Sequence, residues 1–174
     1  MRECVNEQNK PATGVGLVEI LVALLVLALG VLGFVALQYR ALEASAESTS
    51  RIEAMGLARD LSERIRINRT AFPTYQEELA TPANQDISTV NCLENDCTTV
   101  QLADFDVAQV IAKARRLGMT MNIMDCQGNT NGRQCIYVAW GDTSATDGNG
   151  LGDCTDGTAY NRNSTCVILE TYSL

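Results

Sequence analysis

Between Pro11 and Tyr39 a single residue carries charge, and it is Glu19. The 23 residues from Val15 to Leu37 are otherwise free of charged groups. A stretch of about 20 such residues, rising about 1.5 Å each, is what an α-helix needs to cross the hydrocarbon layer of a bilayer. Few soluble helices are apolar all round for six turns, so a buried core helix fits poorly. A cleaved secretory signal fits little better, because its apolar core is usually about 7–15 residues long and ends in small residues at the cut. This run is longer, and the polar segment lies before it. The expected element is a membrane-spanning helix. A carboxylate near its start costs at least about 2 kcal/mol in hydrocarbon, so Glu19 calls for a cationic partner.

The preceding segment, residues 1–14, reads MRECVNEQNKPATG and ends in Gly14. Arg2 and Lys10 suit the cytoplasmic side, although Glu3 and Glu7 cancel their charge. Everything after Leu37 is then expected outside the cytoplasm. Of seven cysteines, Cys4 falls in this segment, which leaves an even set of six in an oxidising compartment: Cys92, Cys97, Cys126, Cys135, Cys154 and Cys166. Six cysteines allow 15 pairings, and spacing alone does not select one. Nearest neighbours are the expected pairs, because each pair brackets a polar, turn-rich loop. Zinc is the rival use, but the chain has no CxxC pair and no histidine.

Beyond the apolar run, residues 39–68 contain no proline and one glycine, Gly56. Ala54, Leu57, Ala58, Leu61 and Ile65 recur at helical spacing and form one apolar stripe. Glu47 with Arg51 and Asp60 with Arg64 are acid-first i,i+4 pairs, placed on the solvent side and worth a few tenths of a kcal/mol each. A single helix is expected from about Val15 to about Asn68, greasy all round in its first half and amphipathic in its second. Gly30 and Gly33 either permit close helix packing or weaken the helix locally. Pro73 and Pro82 mark a loop, and residues 84–96 are polar and turn-rich. Thr98 and Gln101 form a capping box for a second helix, which ends near Leu117 with Gly118 as its stop. Its expected core stripe is Val107, Val110, Ile111, Ala114 and Leu117. Three strand-like segments follow, MTMNIMDC, RQCIYVAW and CVILETYSL, the first two joined by a hairpin loop, QGNTNG. The expectation is an α+β chain whose small antiparallel sheet packs on the amphipathic half of the long helix.

The stretch from Asp142 to Arg162 is rich in aspartate and glycine. Counted from Asp147 it fails as an EF-hand, because Leu151 occupies position 5 and Thr158 occupies position 12, where a bidentate acid is needed. Asp142, Asp147, Asp153 and Asp156 remain weak calcium candidates, Asp147 and Asp153 foremost; a solvated, flexible loop is the plainer expectation. Catalysis is not expected: without histidine no imidazole-dependent triad exists, and the six cysteines are assigned to disulfides rather than thiolate chemistry. No cofactor is expected. Net charge of −8 with 5% aromatic residues argues against direct binding of nucleic acid.

A glycine, then a continuous apolar helix whose fifth residue is glutamate, is the order Gly14, Val15, Gly16, Leu17, Val18, Glu19. It resembles the class III leader of type IV prepilins, although Val15 replaces the phenylalanine that usually opens the mature chain. The long helix, the CTTVQLADFD segment, the strand ending in Trp140 and the terminal cysteine-bearing strand are similar to minor pilins of the PilV type. The resemblance implies a type IV pilin fold divided into a leader (1–14), a membrane and assembly half of the spine (15–37), an amphipathic half (38–70) and a disulfide-stabilised globular domain (71–174). It further implies cleavage between Gly14 and Val15 by a prepilin peptidase, and N-methylation of Val15. The freed α-amino group, with a reference pKa of roughly 8, is the implied partner of a neighbouring subunit's Glu19. Such a pair sets register more than it adds stability. The implied setting is the inner membrane with the globular domain in the periplasm, and then the extracellular pilus. The implied partners are other minor pilins, the major pilin and the pilus assembly platform, in a tip or priming complex that supports twitching and adhesion. A minor pseudopilin of type II secretion shares the amino-terminal pattern, and the three expected disulfides and the length favour the pilus. A ligand-binding tip adhesin using the Asp/Gly loop is the alternative of a different kind.

Overall fold

The computed structural model of the chain describes Gly14, residues 16–129 and residues 131–171. An uninterrupted helix, α1, runs from Leu17 to Ile67. Single glycines cost a helix only about 1 kcal/mol each, and no proline interrupts the run. The described residues divide at Ser45 into two units. In the first, every residue from Gly16 to Ser45 is exposed, including the apolar side chains on all sides of the helix. Gly30 and Gly33 lie within it, with open space where a side chain would be.

The second unit begins at Ala46 and holds the core. Here α1 changes character: Ala54, Leu57, Ala58, Leu61 and Ile65 are buried along one face, as the apolar stripe requires. Full burial of a leucine or isoleucine contributes roughly 1.5–3 kcal/mol, so Leu61 and Ile65 anchor this face. A single 3-10 turn, Arg69–Ala71, leads into α2, Phe72–Ala80. This helix corrects the expectation of a loop at Pro73. Proline sits in its first turn, where an N–H has no intrahelical acceptor in any case, and the ring's fixed φ suits a helix start. α2 buries Tyr75 and Leu79, four residues apart.

The third helix, α3, spans Thr99–Arg116. Thr98 caps it reciprocally: its hydroxyl accepts from Gln101 N at 3.3 Å, and the Gln101 carboxamide accepts from Thr98 N at 3.0 Å. Gly118, at φ 68°, follows the helix in the left-handed conformation that glycine adopts without strain. Val107, Val110, Ile111 and Ala114 are buried, but Leu117 is 43% exposed. As the C-cap it has already left the helical face that the stripe assumed.

Five strands follow: β1 (Met119–Asp125), β2 (Gln134–Trp140), β3 (Ser144–Asp147), β4 (Asp153–Thr155) and β5 (Cys166–Thr171). β1, β2 and β5 form an antiparallel sheet with β2 in the middle, aligned so that Ile123 faces Ile136 and Val138 faces Val167. β3 and β4 pair in parallel over a short, irregular register. They correct the expectation that residues 142–162 are simply a flexible loop.

β2 is buried on both faces, and its period of two sorts its residues. Ile136, Val138 and Trp140 join the main core with α1, α2, α3 and β1. Cys135, Tyr137 and Ala139 join a second cluster with Cys126, Ala145, Cys154 and Cys166. The chain is therefore α+β: a long amino-terminal helix, two shorter helices and a small antiparallel sheet, consistent with the type IV pilin fold.

Candidate functional site

Glu19 lies in the first turn of α1 and is exposed. Its own N–H donates to Gly16 O at 2.9 Å, which starts the helical ladder. A carboxylate in a first turn lies at the positive end of the helix dipole, a favourable place worth about 0.3–1 kcal/mol where water is present. No side chain among the described residues pairs with it. Gly14 is exposed three residues before the helix begins. Val15 and the leader residues 1–13, with Cys4, lie outside the described residues. α1 is long and apolar enough to cross a membrane, and none of its most apolar stretch is buried. The site therefore offers a greasy surface on every side with one acid near its beginning. Such a surface suits contact with lipid or with other apolar helices.

In the second unit a polar cluster joins the three helices. Arg64 of α1 donates from Nε to Asp60 Oδ1 at 2.8 Å and from Nη1 to Asp106 Oδ1 at 2.5 Å. Asp106, on α3 and 6% exposed, accepts on Oδ2 from the Tyr75 hydroxyl of α2 at 2.7 Å. Asn68 donates to Thr99 O at 2.7 Å, and Lys113 of α3 donates to Asp60 Oδ2 at 2.7 Å. Burial opposes ionisation of Asp60, yet the bonds from Lys113 and Arg64 outweigh it and hold the pKa below its ordinary value. Burial likewise opposes the charge on Arg64, and its two carboxylate partners more than offset that. Tyr75 is pushed well above the ordinary phenol range, first by burial and then by Asp106, to which it must donate. The Asp60 and Arg64 pair was expected on the wet side of the helix. It is instead part of the joint between helices. The other expected pair, Glu47 and Arg51, is exposed at 3.7 Å. Glu47 also accepts from the Trp140 indole N–H at 3.0 Å, tying the helix to the end of β2.

The structure brings the six cysteines together as neighbours. Cys92 bonds to Cys97, Cys126 to Cys135 and Cys154 to Cys166, with Cα atoms 5.6, 5.0 and 6.0 Å apart. The last two are buried beside Tyr137, whereas Cys92 and Cys97 are half-buried just before α3.

In the Asp/Gly loop, the Asp147 carboxylate accepts from the Thr155 hydroxyl at 2.6 Å and from Gly157 N at 2.7 Å. Asp153 accepts from the Thr146 hydroxyl at 2.6 Å and from Gly150 N at 2.8 Å. These bonds hold Asp153 below the ordinary carboxylate range, and bonds from Ala159 and Thr158 do the same for Asp156. A side chain at Gly148 would lie 2.5 Å from Asp153 Oδ2. Asp147, Asp153 and Asp156 thus cap turns, each with its own donors, and among the described residues no three acidic or sulfur ligands converge on one point, Asp142 included.

Sequence reasoning missed Asp106, Tyr75 and Asn68. One signal was available: Asp106 stands beside Val107 and four residues before Val110, on the apolar side of its helix. A carboxylate there requires a buried donor.

A long exposed apolar helix with an acid in its first turn, followed by an amphipathic half packed under an α+β domain, fits a membrane-anchored subunit. A family model described as Tt1218-like, type IV pilin Tt1218, matches residues 36–108, and the match supports a type IV pilin. That stretch holds Asp60, Arg64, Asn68, Tyr75 and Asp106. No curated protein and no solved structure matches the chain. The family is structural and not enzymatic, and the apolar helix fits a membrane-anchored pilin that assembles with other pilins.

Proposed function

We propose that the chain is a minor pilin of the PilV type. It is a structural subunit made as a prepilin in the inner membrane, cleaved between Gly14 and Val15, and built with other minor pilins into the tip or priming complex of a type IV pilus. The observation that carries this reading is α1, whose apolar residues from Leu17 to Leu42 are exposed all round with Glu19 in the first turn. Residues 1–14 are then the leader, 15–37 the part of the spine that lies in lipid before assembly, 38–70 its amphipathic part, and 71–174 the periplasmic domain. Prepilin peptidase supplies the cut and the methyl group on Val15. The new α-amino cation answers the carboxylate of a neighbour's Glu19, hiding both charges in an apolar core. Assembly, twitching and adhesion follow from the filament and not from a catalytic centre.

The test is the intact, non-reduced mass of the protein from its own membranes, with peptide mapping of the amino end. A chain starting at Val15, with or without one methyl group, and lacking six hydrogens supports cleavage and three disulfides together. A chain starting at Met1 in cells with a working peptidase leaves Glu19 without its amine and sinks the pilin reading.

A further inference from the structure

Between Arg69 and Lys113 the chain has seven carboxylates and no lysine or arginine. Two of the seven are answered from outside the segment: Asp86 by Arg115 and Asp106 by Arg64. The other five, Glu77, Glu78, Glu94, Asp96 and Asp104, pair with no cation among the described residues. Two exposed apolar side chains belong to the same segment at a groove of about 400 Å³. Ile87, 60% exposed, and Val100, 56% exposed, line it, with Glu78 of α2 and Asp104 of α3 as its acids. Thr89 donates from its N–H and its hydroxyl to Asp104 Oδ2, at 3.1 and 3.3 Å, and so fixes that carboxylate at the groove. Burial first, and then the neighbouring charges of Asp104 and Glu77, raise the Glu78 pKa.

We propose that this groove docks a segment of a partner protein that presents an apolar side chain flanked by lysine or arginine. The apolar walls supply the burial that favours contact, and the uncompensated acids select the sign of the partner. A second copy is the poorer occupant, since the chain carries a net charge of −8. The inference needs only the folded second unit and is independent of assembly into a pilus.

The experiment places a photo-crosslinking residue at Val100 in the full chain, in its own membranes, and identifies captured peptides by mass spectrometry. The same residue at Leu151, exposed and far along the sequence, is the control. The expected result is one partner peptide with at least two lysine or arginine residues beside the crosslinked apolar side chain. Its capture falls about tenfold in Glu78→Lys and in raised salt, as expected of an electrostatically selected contact, and does not occur from position 151. Thr74→Lys adds charge at the groove without removing an acid, and lowers capture in the same direction. Trp140 emission verifies that both variants are folded. No captured peptide, a peptide without basic residues, a second copy of this chain, or capture unchanged in both folded lysine variants overturns the proposal.

Discussion

Replacing Asp106 by alanine tests whether the polar cluster holds the helices together. Two groups lose their acceptor: the Tyr75 hydroxyl at 2.7 Å and Arg64 Nη1 at 2.5 Å. Removing one member of a buried ion pair costs about 3–5 kcal/mol when the other charge is stranded. Arg64 is not stranded, because it keeps Asp60 at 2.8 Å and its side chain is partly exposed, which reduces its share to roughly 1–2 kcal/mol. The buried Tyr75 hydroxyl adds about 1–2 kcal/mol for a donor left unmade. The expected loss is therefore about 3 kcal/mol, a large part of the roughly 5–15 kcal/mol that holds a domain folded. Asp106→Asn keeps one acceptor oxygen for Arg64 Nη1 and turns its NH2 toward the Tyr75 oxygen, which can accept. It loses the charge and one acceptor but strands neither group, so it should cost less than alanine, about 1–2 kcal/mol. Urea unfolding of the full chain in detergent reports both, followed by the emission of Trp140, the sole tryptophan, which packs in the same core. An alanine variant within 1 kcal/mol of the unsubstituted chain, or an asparagine variant as damaged as the alanine one, refutes the assignment of the cluster as the joint.

Three further predictions rest on the same structure. Asp60 has a lowered pKa in the fold, so its contribution is present above the ordinary carboxylate value of 3.8 and is lost as pH falls below it; Tyr75 has a raised pKa, so its contribution is present below 10.0 and is lost as pH rises above it. Stability measured against pH should fall at both ends, and Tyr75→Phe should flatten the alkaline limb alone. Chain entropy assigns about 3 kcal/mol to the Cys154–Cys166 bridge, which closes the longer loop, and about 2 kcal/mol to Cys92–Cys97. Paired alanine substitutions should therefore lower the melting temperature more for the first bridge, and an equal or reversed order counts against that account. Glu47→Ala removes the acceptor of the Trp140 indole at 3.0 Å and should shift its emission and cost about 1 kcal/mol, whereas Glu47→Gln should leave both nearly unchanged.

Periodicity and caps were the legible parts of this chain. The stripe from Ala54 to Ile65 and the box between Thr98 and Gln101 are local patterns, and each has the structure its spacing demands. The three strands of the main sheet were readable for the same reason. What escaped depends on partners distant in sequence. α2 hid behind Pro73, which reads as a breaker unless the first turn is known to begin there. β3 and β4 hid in a stretch whose aspartates and glycines suit water, because their pairing is set by turn-capping bonds such as that from Thr155 to Asp147 and not by an apolar alternation. The joint at Asp106 gathers residues from three helices, and only the carboxylate on an apolar face hinted at it. Glu19 was legible as an anomaly from the start.

β2 divides the second unit into two chemical compartments. On its helix side, the packed cluster contains no cysteine and adjoins the ion pairs of Asp60, Arg64 and Asp106. On the other side, among the described residues, lie two of the three disulfides and no buried carboxylate. Acid and thiol reagents therefore attack opposite sides of one strand. Reduction thus reaches β2 itself, at Cys135, whereas acid acts on the helices packed against the strand's other face, so the two treatments loosen the same sheet from different sides.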